Sequence, residues 1–200
     1  ELGIKDYIYV HIGAGIGSAI VIDGKIYSGA SGKAGELVRV KSPNGYSWEY
    51  EYSTTRFYKK ILNMANNQPD SKLNSLLASE LPMPNISRDK ALMMVLDKAL
   101  GEGIQEVYDL LNTAAEGWAN IIYTLYIFFD PAAIIVGGDI SSKTPNVFEL
   151  IRNTLKSKYD SRGLILYPNN EDAVDKAVAI NLLDRVFNNI YAKFIGNDTF

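Results

Sequence analysis

The order of segments along this chain predicts an α/β fold, a mixed β-sheet with helices packed on it. Three observations carry that expectation. The first fifth is β-rich, the remainder alternates helical and strand patterns, and one long stretch is apolar around most of its circumference. The first strand, Tyr7–Ile12, enters a turn carrying Gly13, Gly15 and Gly17, and a second strand follows at residues 19–22. Asp23-Gly24 between two β-rich runs predicts a hairpin, with a third strand at residues 25–27. A further strand is expected at residues 37–41, before a turn at Ser42-Pro43-Asn44-Gly45.

From Ser53 the pattern becomes helical, with Phe57, Ile61 and Met64 at helical spacing. Residues 68–84 read either as a polar loop or as a short helix between prolines. Ser87 is placed to cap a helix running to residue 100, with Leu92, Leu96 and Leu100 stacked on one face. Residues 104–129 predict one long, centrally buried helix, stopped by Asp130-Pro131. A buried strand at 133–136 leads into Gly137-Gly138. An amphipathic helix (147–159), a short strand (164–167) and a closing helix (173–194) complete the order.

Bulk composition narrows the functional classes. The chain has 200 residues, 47% of them hydrophobic and 22% charged, which suits one soluble domain with a substantial core. A net charge of −3 without a basic run argues against nucleic-acid binding by this segment, since phosphate neutralisation needs clustered Lys and Arg. There is no cysteine, so a disulfide scaffold and a thiolate zinc site are both excluded. The short polar start gives no signal-peptide pattern, and the most apolar run (118–129) is too short to span a bilayer. The expected location is cytoplasmic, with no membrane partner.

Glycines at the first turn let backbone N–H groups approach an anion. Here the loop joins two strands, so neither the dinucleotide fingerprint nor the Walker loop applies. The run from His11 through Gly29-Ala30-Ser31-Gly32-Lys33-Ala34-Gly35-Glu36, the Trp48-Glu49 pair four residues before Ser53, and the segment from Asp130 to Gly137-Gly138 together resemble the ROK family of sugar kinases and sugar-responsive repressors. The three motifs stand in family order and span most of the chain. The resemblance implies the actin-like ATPase (ribonuclease H-like) fold. It also implies that residues 1–200 form a single domain, the second lobe of a two-lobed sugar-binding module. The first lobe and any DNA-binding head would lie upstream, outside this chain.

Carried over position by position, the resemblance suggests roles for individual residues. Gly13, Ala14, Gly15 and Gly17 match a loop that receives the phosphates of ATP, although family kinases commonly carry Thr where this chain has Ala14. The same glycines also suit a tight turn retained as a relic. Glu36 matches a carboxylate that accepts sugar hydroxyls. The following Gly and His of that family segment are Val38 and Arg39, and a guanidinium cannot ligate a metal. Glu49 matches a second sugar carboxylate, with Trp48 beside it either stacking on the sugar or sitting in the core. Tyr46, Tyr50 and Tyr52 are further aromatic candidates. Gly137 and Gly138 match the place where adenosine packs, or serve a turn, and Asp139 next to them reads as a cap or an exposed residue. The family's Cys cluster is missing and the single histidine, His11, reads as a core strand residue, so no zinc or other cofactor is expected.

A sugar kinase needs a carboxylate to take the proton from the attacking hydroxyl. In the family that Asp follows an Asn in the first lobe, and no Asn-Asp pair precedes the glycine loop here; Asn197-Asp198 lies at the other end. The expectation is therefore a non-enzymatic, effector-sensing and dimerising domain of a repressor resembling the xylose-responsive type. It would bind a sugar through Glu36, Arg39 and Glu49, form a homodimer, and reach DNA only through an upstream domain. The alternatives are the second lobe of an ATP-dependent glucokinase or N-acetylhexosamine kinase, and a domain that only dimerises.

Overall fold

A computed structural model of the chain describes residues 4–81 and 88–169. Described residues up to Asn169 form one compact unit around a mixed five-stranded sheet of order β3-β2-β1-β4-β5. Strands β1 (Tyr7–Ile12), β2 (Ile16–Ile22) and β3 (Lys25–Ile26) form an antiparallel meander. Strands β4 (Ala133–Gly138) and β5 (Leu166–Pro168) add on the other side of β1, both parallel to their neighbour.

Local chemistry accounts for these strands. Asp23 and Gly24 both take positive φ, 53° and 73°, which is the twist a two-residue hairpin loop needs. The Asp6 carboxylate pins that turn, accepting from the Asp23 N–H at 2.7 Å. Strand β4 is nearly all apolar because helices cover its sheet, and Ile134 and Val136 are fully buried.

Between Gly35 and Gly45 the structure departs from the predicted strand at 37–41. Leu37–Arg39 forms one turn of 3-10 helix, and only Lys41 bridges to Ser47. Gly35, at φ 83°, turns the chain so that Leu37 is the one buried residue of the 3-10 turn, and the Ser42–Gly45 turn closes before a strand can extend. The Ser42-Pro43-Asn44-Gly45 turn itself is present, with the Gly45 N–H donating to the Ser42 carbonyl at 2.9 Å.

A short helix precedes the one that the sequence predicts from Ser53. Helix α1 (Trp48–Tyr52) starts at Ser47, whose hydroxyl accepts from the Tyr50 N–H. Ser53 is extended (ψ 150°), and α2 (Thr54–Asn67) begins directly after it. The ambiguous stretch after residue 68 holds α3 (Lys72–Glu80), capped by Ser71. Helix α4 (Arg88–Gly101) begins just after its expected cap, Ser87, which lies outside the described residues. The predicted closing helix at 173–194 and the Asn197-Asp198 pair also lie outside them.

Helix α5 (Gln105–Phe129) is the central helix that its apolar circumference predicts. Trp118 on α5 is fully buried, edge-on to Phe57, and its indole N–H donates to the Tyr52 carbonyl at 2.8 Å. Asp130 then takes φ 45° and ends the helix. Helix α6 (Pro145–Lys158) packs against α5 and α4. Its start is held from α4, where Asp97 accepts the Val147 N–H at 2.8 Å and the Asn146 amide at 3.0 Å.

Candidate functional site

The glycine turn is a short hairpin loop. Ile12 and Ile16 are the last paired residues of β1 and β2, leaving Gly13, Ala14 and Gly15 to make the bend. The Gly13 N–H donates to the Gly15 carbonyl at 3.0 Å, closing the loop on itself. Its far side is fixed by the break between α1 and α2, because the Thr54 N–H donates to the Gly13 carbonyl at 2.8 Å. A segment separated from the glycines by about forty residues therefore forms the wall of their loop.

Two carboxylates face this loop. Glu49 on α1 accepts from the Ile16 N–H at 3.4 Å, and its Oε2 lies 3.0 Å from where a Cβ on Gly15 would sit. Asp139, just past β4, accepts from the Thr54 hydroxyl at 2.6 Å, while its own N–H donates to the Ile12 carbonyl. Burial pushes the Asp139 carboxyl above its ordinary value. The Thr54 hydroxyl opposes that rise, the Asp89 charge adds to it, and His11 and Lys90 oppose it.

Beside Glu49 opens a groove of about 510 Å³. Ala14, Glu49 and Tyr50 line it together with Arg56, Lys59, Lys60 and Asn63 of α2. The Arg56 guanidinium lies 4.4 Å from the Tyr50 ring centroid, and Tyr46 packs against the same ring at 4.9 Å. The groove thus combines a carboxylate acceptor, an aromatic face and several cationic donors, which is a set suited to a polyol. A larger cavity of about 670 Å³, between the end of α6 and β5, contains none of the residues singled out in the sequence.

The predicted site residues divide. Ala14 and Glu49 come together on the groove. Glu36 and Arg39 are exposed and are not among its lining residues. Their segment is held against β2, where the Ser18 N–H and hydroxyl both donate to the Gly35 carbonyl. Trp48 is a core residue, 6% exposed, and Tyr52 is half-buried against the Trp118 side of the core.

Two readings made from the sequence change. Of the two readings of Asp139, a cap or an exposed residue, the exposed one falls, because the Gly137-Gly138 turn carries it inward to the start of α2. His11 is exposed rather than part of the core, with its Nε2 beside Gly13. It occupies an outward position of β1, and the neighbouring Val10 and Ile12 point inward. At Gly137 a Cβ would collide with the Tyr9 hydroxyl, so the space above that glycine is filled by the protein's own side chain. Thr54 is the contributor that pattern reading missed. Its only signal was the Ser53-Thr54-Thr55 run at a helix start. Among the described residues, no group of three or more His, Asp or Glu is placed to hold a metal ion. No helix there is long and apolar enough to cross a membrane.

The ROK family model matches residues 1–41. A glucokinase of Streptomyces coelicolor is 26% identical over 163 residues, covering 77% of this chain and 50% of the relative. A xylose repressor of Caldicellulosiruptor bescii is 26% identical over 105 residues, 52% of this chain and 20% of the relative. The chain thus spans about half the length of the glucokinase and a smaller share of the repressor. Among solved structures, a Streptomyces griseus ROK glucokinase in complex with glucose and AMPPNP superposes with a TM-score of 0.65 at 22% identity. It covers 83% of this chain and 55% of its own. A ROK transcriptional regulator, homologous to the E. coli MLC protein, gives 0.62 at 18% identity, over 85% of this chain and 43% of its own. Both share this mixed sheet with packed helices, the actin-like ATPase fold. Through residues 1–41 the chain matches the ROK family model, and the fold that continues behind them is the one these two ROK proteins share.

Proposed function

We propose that this chain is the second lobe of a ROK sugar-binding module and serves as the effector-sensing and dimerising domain of a transcriptional repressor of the xylose-repressor type. The observation that carries this reading is the pair of carboxylates on the glycine loop. A phosphate approaching Gly13–Gly15 meets the Glu49 carboxylate at the Ile16 N–H and the Asp139 carboxylate beside Gly13. Like charges at such range are costly in a partly buried setting. Ala14 adds no hydroxyl to offset them. Glu49 also lines the groove, where it can accept sugar hydroxyls.

In this reading a sugar in the groove shifts the population of dimer arrangements and so the spacing of DNA-binding heads carried upstream. A sugar kinase lobe is the second reading, favoured by the glucokinase relative that covers 77% of the chain. The deciding experiment titrates the intact protein with D-xylose, D-glucose and N-acetyl-D-glucosamine, and follows operator release and ATP-dependent phosphorylation in parallel. Sugar-dependent release without phosphorylation, lost in Glu49→Gln, is the expected result. Phosphoryl transfer to any of these sugars, strengthened by Ala14→Thr, overturns the repressor reading in favour of the kinase.

A further inference from the structure

We propose that Asn44 is a site of spontaneous covalent modification, deamidation to aspartate and isoaspartate, and that Glu51 carries the effect of this change to α1. Asn44-Gly45 is the one Asn-Gly pair in the sequence. Glycine on the C-terminal side leaves the attacking backbone nitrogen unshielded by a side chain and the chain free to bend toward it. The structure sets this pair at the tip of a loop whose residues Pro43, Asn44, Gly45 and Tyr46 are all exposed. Gly45 takes φ 82°, the left-handed position that follows a tight turn. Asn74, also followed by a small residue, lies instead inside α3, where the Ser75 N–H donates to the Ser71 carbonyl.

The chemistry needs only water. The Gly45 nitrogen attacks the side-chain carbonyl carbon of Asn44, a C–N bond forms, and ammonia leaves with the Gly45 proton. Water then opens the cyclic imide at either carbonyl, giving aspartate or isoaspartate. Two bonds hold the native turn against this attack. The Gly45 N–H donates to the Ser42 carbonyl at 2.9 Å, and the Asn44 amide donates to Glu51 Oε1 at 3.0 Å. The second of these is exposed, and an exposed loop tip opens at little cost in free energy.

The effect of the change follows from Glu51, whose Oε2 is buried. Burial raises its carboxyl, but the neighbouring Ser42, Asn44 and Tyr52 and the Arg56 charge outweigh burial and hold it below its ordinary value. Glu51 is therefore ionised, with Asn44 as one of its donors. Deamidation sets a second carboxylate where that donor stood, and like charges at hydrogen-bond distance repel. Isoaspartate also adds a backbone carbon to a loop closed by two bonds. The Ser42 N–H donates to the Tyr46 carbonyl at 2.7 Å, and the Trp48 N–H to the Val40 carbonyl at 3.0 Å. That loop ends in Ser47, the cap of α1, and α1 carries Glu49. The modification stands apart from the sugar-binding reading, and only its effect on sugar affinity rests on that reading.

The test ages the intact protein at mildly alkaline pH and maps its peptides by mass spectrometry that separates aspartate from isoaspartate. Asn44 should convert ahead of every other asparagine, in both product forms, at a rate that rises with pH. Glu51→Ala, which frees the Asn44 amide, should speed the conversion about fivefold, the factor that one hydrogen bond supplies. Asn44→Asp should unfold at lower urea concentration than the wild type, and adding Glu51→Gln should remove most of that difference. Sugar affinity of Asn44→Asp should fall about threefold or more, whereas Asn44→Ser should lose neither stability nor affinity on ageing. Asn44 left intact while another asparagine converts overturns the site. An Asn44→Asp protein with the wild-type midpoint, or a deficit that Glu51→Gln leaves untouched, overturns the role of Glu51. A converted and destabilised protein whose fresh form binds no sugar overturns the sugar-binding reading and leaves this inference standing.

Discussion

Two helix starts in this molecule are held by the same device and serve different ends. At α6, Asp97 reaches across from α4 to take the Val147 N–H and the Asn146 amide. At α2, Asp139 reaches across from β4 to take the Thr54 hydroxyl. In both cases the helix's own cap residue, Thr144 or Ser53, makes no side-chain capping bond. Both aspartates are buried, and burial raises the pKa of each. They differ in their surroundings. Asp97 packs between two helices remote from the groove, whereas Asp139 stands at the glycine loop with His11 and Lys90 acting on it. The same bond thus fastens two pieces of scaffold in one place and shapes a ligand loop in the other.

The largest expected effect breaks the α6 side. Asp97→Ala leaves a buried N–H and an amide without their acceptor, which should cost about 2–3 kcal/mol in urea unfolding. Sugar affinity of the folded variant should stay unchanged, and a loss of affinity would show that the two helix starts are coupled. Thr54→Val keeps the shape but removes the hydroxyl from Asp139, for about 1–2 kcal/mol. It should also alter ligand binding, because the Asp139 carboxylate it releases stands beside Gly13.

A subtler difference lies in pH dependence. Both carboxyls have raised folded pKa values, so across the interval above the unfolded value of about 3.9 the native state holds more protons than the unfolded one. Their contribution to stability is fully present below the unfolded pKa and is lost as pH rises through the folded one. Unfolding midpoints of Asp139→Asn across pH 4 to 7 should therefore decline less steeply than those of the wild type, the approximate window following from the raised direction. Smallest of all, Lys59→Ala should shift stability by less than about 0.5 kcal/mol, since the side chain is exposed. A larger shift would mean that Lys59 supports the fold rather than a ligand.

Much of the scaffold was legible because it is written in local pattern. Strand β1 occupies the predicted Tyr7–Ile12, the Asp23-Gly24 hairpin is present, and α5 occupies nearly the span its apolar circumference predicts. Helix α1 was hidden because its five residues, Trp48–Tyr52, are too few to show a helical repeat. Legibility of the loop was poorer still. Thr54 and Asp139 stand 85 residues apart, and nothing local to either names the other. Glu49 could be reached by resemblance, yet its bond to the Ile16 N–H depends on how α1 crosses the hairpin. The bases Arg56, Lys59 and Lys60 of α2 needed no structure to be counted, only a groove to give the count a meaning.

The Gly35 segment has one more consequence, for solubility. Strand β3 pairs with β2 at Val21 and Ile22, and the Tyr27 N–H adds a bond to the Ile20 carbonyl, which leaves the part of β2 before Ile20 as an edge. Ser18, in the middle of that edge, gives its N–H to the Gly35 carbonyl. A Cβ on Gly35 would lie 2.5 Å from the Ser18 carbonyl, at a backbone φ of 83°. Exposed strand edges template the addition of foreign strands. The segment that bears Glu36 therefore acts as a guard rail. A substitution at Gly35 that lifts it from β2 would show itself first as self-association, before any sugar is added.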